Sequence, residues 1–309
     1  MRAKQANVVG ECLQDRILIV VIYVILVILL AVILYPLVYV LSASFSDSMA
    51  VYSGEMLLWP IRPTLDGYAY ILNYTEIWMG YANTIFYTVV GTLMSLVFTL
   101  PCAYALSRSD LRGRGILMTF FMITMYFNGG LIPSYLTVKE YGLLDTRWVI
   151  LLTGGFSVFN MIVARTFFAT MISTEIIEAA SIDGCDEFRT FMRIILPISK
   201  AIITVMILYY AVARWNSYFT EMVFLSTRAK FPLQLFLREI LIQSQYSSQA
   251  VMGSSTMTPE QVAYLLKNAE TANKVKYCII VVSTIPMLVV YPFVQKYFEK
   301  GVMLGSVKG

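Results

Sequence analysis

The residues with most capacity for chemistry cluster between Glu178 and Pro197, where the chain reads EAASIDGCDEFRTFMRIILP. Glu178, Asp183, Asp186 and Glu187 stand here beside Arg189 and Arg193, in a sequence otherwise poor in charge: only 14% of its 309 residues are Asp, Glu, Lys or Arg. Bond-making chemistry finds few tools elsewhere. There is no histidine, which removes the commonest general base and the commonest metal ligand. Cys12, Cys102, Cys185 and Cys278 are scattered and form no CxxC pair, so neither a metal site nor a disulfide framework is expected. The sequence holds no GxxxxGKS/T phosphate loop and no HExxH. What the 178–197 segment offers instead is a surface. Ala179 and Ala180 keep one side of a short helix small, so that another surface can approach it closely. Gly184 permits a sharp turn or a close backbone contact. Asp183, Asp186, Glu187, Arg189 and Arg193 supply a charged exterior. Pro197 is expected to start the following helix, where its missing N–H costs nothing.

The elements that must hold this segment are hydrophobic. The chain is 58% apolar, with a mean hydropathy of +0.70, and several uncharged runs exceed the roughly 20 residues a bilayer requires. An all-α membrane protein with six transmembrane helices is expected: 17–41, 82–106, 116–136, 148–169, 198–219 and 277–297. Pro36, Pro101, Pro133 and Pro286 fall inside these spans and predict kinks. The first apolar run has about 25 residues, longer than the 7–15 of a signal peptide, so it reads as a retained helix. Basic residues set the orientation. Arg2, Lys4 and Arg16 precede span one, Arg108, Arg112 and Arg114 follow span two, and Arg165, Arg189, Arg193 and Lys200 bracket the loop after span four. The short loops on the other side carry only Arg62, Lys139 and Arg147. Both termini, and with them the 178–197 segment, are therefore expected in the cytoplasm.

The resulting organisation is an N-terminal tail (1–16), a first helix (17–41), an outer loop (42–81), a core of five helices (82–300) and a C-terminal tail (301–309). The core contains a polar loop (171–197) and a long outer loop (221–276). Residues 65–79 are aromatic and amphipathic, as suits a helix lying at a membrane interface, and 231–243 reads as another amphipathic helix. Thr258, Pro259 and Gln261 give a helix-start signature, and Glu270 and Lys274 pair one turn apart.

Glu178, Ala179, Ala180, Gly184, Ile194, Leu196 and Pro197 match, at full spacing, the EAA loop of the membrane subunits of ABC importers, and the chain resembles that family. The stretches YFNGGLIPSYLTVKEYGLLDTRWVI, RWNSYF and YPFVQKYFEKGVMLGSVKG resemble its carbohydrate-uptake branch, and most of all permeases that import complex oligosaccharides in Gram-positive bacteria. The resemblance implies a type I ABC importer permease fold and a multi-pass place in a bacterial cell membrane. It implies no enzymatic activity and no cofactor in this chain, with ATP and Mg bound by a partner ATPase. The implied partners are a second permease, a dimer of ATP-binding subunits and an extracytoplasmic solute-binding protein. The EAA helix–turn–helix would sit in a groove of the ATPase, with Glu178 facing basic groups there. A permease for a non-sugar solute is the alternative. An intramembrane enzyme would need clustered ionisable groups within its spans, and a scaffold would not need the EAA loop. Nucleic acid is not an expected partner.

Candidates for a substrate path are polar or aromatic residues inside spans. Arg214 carries a charge near the end of span five, which marks function or a side chain reaching for the interface. Trp215, Asn216 and Tyr218 follow it, with faces and amides suited to sugar rings and hydroxyls. Tyr126 and Asn128 are expected within span three, where Gly129 and Gly130 allow close approach or local unwinding.

Overall fold

The computed structural model describes residues 13–252, 272, 275–289 and 291–292, and every regular element among them is helical. Two compact units divide the chain. One takes the described residues up to Ile71 and those between Ser244 and Val281; the other takes Leu72–Gln243 and the described residues from Val282 onward.

The first unit opens with α1 (Leu13–Phe45), 33 residues with Pro36 inside. At 1.5 Å per residue it is about 50 Å long, more than the roughly 30 Å hydrocarbon layer. The side chains of its apolar stretch are exposed all round. Its C-terminal end closes in a knot of serines beside α2 (Ser48–Tyr52). Ser42 Oγ donates to the Leu58 carbonyl at 2.6 Å, Ser46 Oγ accepts from the Ile61 N–H at 3.2 Å, and Tyr68 OH donates to Ser44 Oγ at 2.8 Å. Tyr68 belongs to α3 (Asp66–Asn73), so the expected interfacial helix of 65–79 is a short helix that breaks at Tyr74.

The second unit is built on α4 (Thr75–Ser107), a second 33-residue helix containing Pro101. Then come α5 (Arg114–Tyr126), α6 (Leu131–Glu140), α7 (Arg147–Thr153) and α8 (Val158–Met171). The polar loop forms α9 (Thr174–Ile182) and α10 (Glu187–Thr190), which passes through a π-helical turn (Phe191–Ile195) into α11 (Leu196–Ile198). After these stand α12 (Lys200–Trp215), α13 (Phe219–Phe224) and a 3-10 turn (Arg228–Lys230); α14 (Leu233–Met252) and α15 (Val275–Val289) are shared, since their residues between Ser244 and Val281 count with the first unit.

Only α1 and α4 are single helices long and apolar enough to cross a membrane among the described residues. The expected third, fourth and fifth spans are bent pairs: α5 with α6 at 109°, α7 with α8 at 49°, and the run Glu187–Ile198 with α12 at 84°. Local sequence accounts for each bend. In the first, Gly130 takes φ +88° and its N–H is held by Asn128 Oδ1 at 2.9 Å. The second falls at Gly154–Gly155, ahead of a Ser157 N-cap that accepts from the Asn160 N–H. The third corrects an expectation. Pro197 does not begin a helix; it stands near the end of a helical run that starts at Glu187. Its ring cannot pack under the carbonyl four residues back, so the chain widens into the π turn before it and breaks at Ser199 after it. The helix-start signature at Thr258, the Glu270–Lys274 pair and the segment 293–309 lie outside the described residues.

Candidate functional site

The 174–198 segment folds as a helix–turn–helix hairpin. α9 ends where Gly184 adopts φ +74°. The Cys185 N–H bonds to the Ala180 carbonyl at 2.9 Å and the Gly184 N–H to Ser181 at 3.1 Å, the paired pattern of a Schellman C-cap. A Cβ on Gly184 would meet nothing within 4 Å, so here the glycine serves the turn rather than a close contact. Asp183 is the C-cap of α9, and Asp186 caps α10 by accepting from the Arg189 N–H at 2.6 Å.

The hairpin has an inner and an outer side. Ala180, Phe191 and Ile195 are buried; the last two join a core with Leu100, Tyr104, Met161, Phe168, Ile202 and Met206 from α4, α8 and α12. Glu178 and Ala179 are exposed. So are Ile182 (86%) and Phe188 (75%), two large apolar side chains standing on the tip among the charges. The Arg108 guanidinium clasps Asp110 through two bonds, 2.8 and 3.0 Å, and reaches Glu187 at 3.2 Å, tying the turn after α4 to the hairpin. These carboxylates in turn hold the Arg108 pKa above its ordinary value, while the guanidinium lowers that of Asp110.

A second polar assembly lies at the break in span four. The last four carbonyls of α7 have no partner within that helix. Arg214, from α12, donates to two of them, Ile150 at 3.1 Å and Leu151 at 3.1 Å, and approaches Ser95 Oγ at 3.4 Å. On the other side of the break the Ser157 N–H donates to Tyr210 OH, which also bonds Thr99 Oγ1 at 2.6 Å. A cavity of about 420 Å³ opens beside this junction, walled by Tyr87, Asn160, Tyr209, Arg214, Ser217, Glu221 and their neighbours. Glu221 is 3% exposed and accepts from Ser217 Oγ at 2.9 Å.

Of the six substrate-path candidates, only Arg214 borders this cavity. Trp215 is buried elsewhere, its Nε1 donating to the Ser283 carbonyl at 3.1 Å. Asn216 caps α12 through a bond to Val212. Tyr218 lies under the Arg238 guanidinium at 5.5 Å. Tyr126 and Asn128 are exposed at the 109° bend rather than within a continuous span. The sequence gives no cue to Asn160, a lone amide in an apolar run, or to Glu221, which falls in the expected outer loop 221–276.

Apolar helix pairs bent beside a polar cavity fit a membrane transport protein. The sequence pattern described as "Binding-protein-dependent transport system inner membrane component" matches residues 77–304, and the chain belongs to that family. It is 39% identical, over 96% of its length and all of the relative's, to the polygalacturonan/rhamnogalacturonan transport system permease protein YtcP of Bacillus subtilis (strain 168). It is 38% identical to Protein LplC of the same organism, over 89% of each chain. Its fold is similar to a chain in the crystal structure of a bacterial ABC transporter involved in the import of the acidic polysaccharide alginate, with a TM-score of 0.81, 37% identity, and 93% and 99% of the two chains covered.

Proposed function

We propose that this chain is the membrane-spanning permease subunit of an ATP-driven bacterial importer of oligosaccharides. It forms the path with a second permease, spans the membrane six times with both termini in the cytoplasm, and receives its solute from an extracytoplasmic binding protein. ATP and Mg are held by a cytoplasmic ATPase pair. The single observation that carries this reading is the hairpin. Ile182 and Phe188 stand exposed at its tip while Phe191 and Ile195 lock its base into the core of α4, α8 and α12, the arrangement of a lever that fits a groove on another protein. The carbohydrate class is supported by the relatives, whose names concern pectic polymers and alginate.

The test is co-expression with the neighbouring genes, purification through this chain and measurement of ATP-dependent oligosaccharide uptake in liposomes. An ATPase that co-purifies and drives uptake is the expected result; a chain that recovers no ATPase sinks the reading. Gly184→Leu should cost uptake or ATPase docking with membrane insertion intact, because a branched side chain is strained at φ +74°. Normal uptake by that variant would remove the hairpin from the mechanism.

A further inference from the structure

We propose that Arg214 is a positioning residue of the transport cycle: it ties the half-helix α7 to α12, so that displacement of the 174–198 hairpin is carried to the far end of α4. The inference rests on the functional reading above.

Among the described residues of the second unit, one apolar core lies on each side of the break in span four. The first packs α8 and α12 around Phe191 and Ile195 of the hairpin. α8 runs into the hairpin and α12 runs out of it, so a push on the hairpin moves both helices as one body. The second core holds Val149, Ile150 and Leu151 of α7 with Tyr87, Phe224 and Leu225. Between the cores the backbone of span four is interrupted, and α8 is bent 49° from α7. α4 runs past both cores and leaves room for the guanidinium at Gly91, with the Ser95 hydroxyl one turn on.

Arg214 occupies that gap. It is rooted in α12, on the hairpin's side, and its donors end on the Ile150 and Leu151 carbonyls, on the other side. The fit leaves no slack. A Cβ on Gly91 would lie 2.4 Å from the guanidinium carbon, and one on Gly154 would lie 3.3 Å from a terminal nitrogen. A planar fork serves two carbonyls and a hydroxyl at once; a lysine is a point charge and does not. With both terminal nitrogens donating to α7 carbonyls and Nε left without a partner among the described residues, the guanidinium is placed to hold a helix.

The other end of α7 is fastened too. Asp145 Oδ1 accepts from the Ser226 and Thr227 N–H groups at 3.0 Å each, and Oδ2 bonds Thr227 Oγ1 and Lys230 Nζ. Arg147 donates to Asn83 Oδ1 at 3.1 Å, and Asn83 Nδ2 holds the Ala229 and Phe231 carbonyls. α7 is thus a seven-residue strut between Arg214 and the 226–231 segment. Without Arg214, α8 and α12 can tilt while α7 stays behind.

The experiment uses the assembled transporter with its ATPase and solute-binding protein in liposomes, and reads ATP hydrolysed per solute imported, together with the yield and thermal stability of the complex. In Arg214→Gln that ratio should rise about tenfold, within the range reached by residues that link coupled sites. Arg214→Lys should recover part of the loss. Gly91→Ala, which displaces the guanidinium and keeps its charge, should raise the ratio in the same direction, and Gly154→Ala by less. A fall in yield or stability with the ratio unchanged in all four variants overturns the proposal, because it leaves Arg214 a role in folding alone. A change confined to KM for acidic solutes in Arg214→Gln, with no effect of Gly91→Ala, overturns it in favour of a substrate contact. A wild-type complex that takes up no oligosaccharide at all rejects the functional reading instead.

Discussion

α1 and α4 have the same length, 33 residues, and the sequence presents both as membrane spans, yet their surfaces are organised in opposite ways. The apolar stretch of α1 is exposed on every side. α4 is half buried, and much of what it buries is small or polar: Gly80, Asn83, Thr84, Gly91, Thr92, Ser95 and Thr99. What it exposes includes Val89, Leu93, Val97 and Phe98. In lipid, an apolar side chain gains little by leaving one hydrocarbon for another, so helices are joined through close approach and hydrogen bonds. Small and polar residues therefore mark the packed face. The two helices also differ in how their ends are tied: uncharged serines and Tyr68 bind the C-terminal end of α1, whereas Asp145, Lys230 and the Arg228–Glu76 pair at 2.7 Å surround the N-terminal end of α4.

Four substitutions test this contrast. The largest effect is expected at Gly80, where a Cβ would come 2.9 Å from the Phe236 ring and 3.1 Å from the Leu233 backbone. Gly80→Val should destabilise the second unit by about 3 kcal/mol, measured by thermal unfolding in detergent. Next is Asp145→Asn, which loses the charge behind four bonds and should cost about 2 kcal/mol. The Asp145 carboxyl is held well below the usual carboxylate range, chiefly by its bonds to Thr227. Because its folded pKa is depressed, its contribution is complete above the unfolded value of about 3.9 and is lost as pH falls through the lower folded value. Amide exchange at Ser226 and Thr227 should therefore quicken under acid, and Asp145→Asn should abolish that pH dependence. Thr99→Val removes the 2.6 Å bond to Tyr210 and should cost about 0.6 kcal/mol, the average for such bonds between membrane helices. The smallest effect belongs to α1: Ala31→Leu, on an exposed position, should stay within about 0.5 kcal/mol. A loss at Ala31 as large as that at Gly80 would erase the distinction.

The sequence was most transparent where one residue type has one physical use. An unbroken apolar run marked out α1, Ala180 and Gly184 read as a short helix and its turn, and the hairpin itself followed from the resemblance to the EAA loop. Gly129–Gly130 was readable as a place of unwinding, although the depth of the 109° bend was not. Pro197 misled because the same missing N–H suits a helix start and a helix break, and only the distortion of the preceding turn decides between them. Arg214 was legible as important and illegible as to purpose. Its partners are backbone carbonyls, which leave no trace in residue types, and they become available only because span four is broken. Glu221 escaped because a single carboxylate after a span reads as loop until the packing around it is seen.

The contact between Gly91 and Arg214 also constrains how such a protein can change by descent. While the arginine holds its place, a methyl group at position 91 would lie 2.4 Å from the guanidinium carbon, so a side chain there forces the guanidinium aside. A lineage that first shortens residue 214 frees residue 91 to drift. The opposite order first drives the guanidinium from the α7 carbonyls. The two positions are far apart along the chain, yet the size of the residue at one sets the room left for the other.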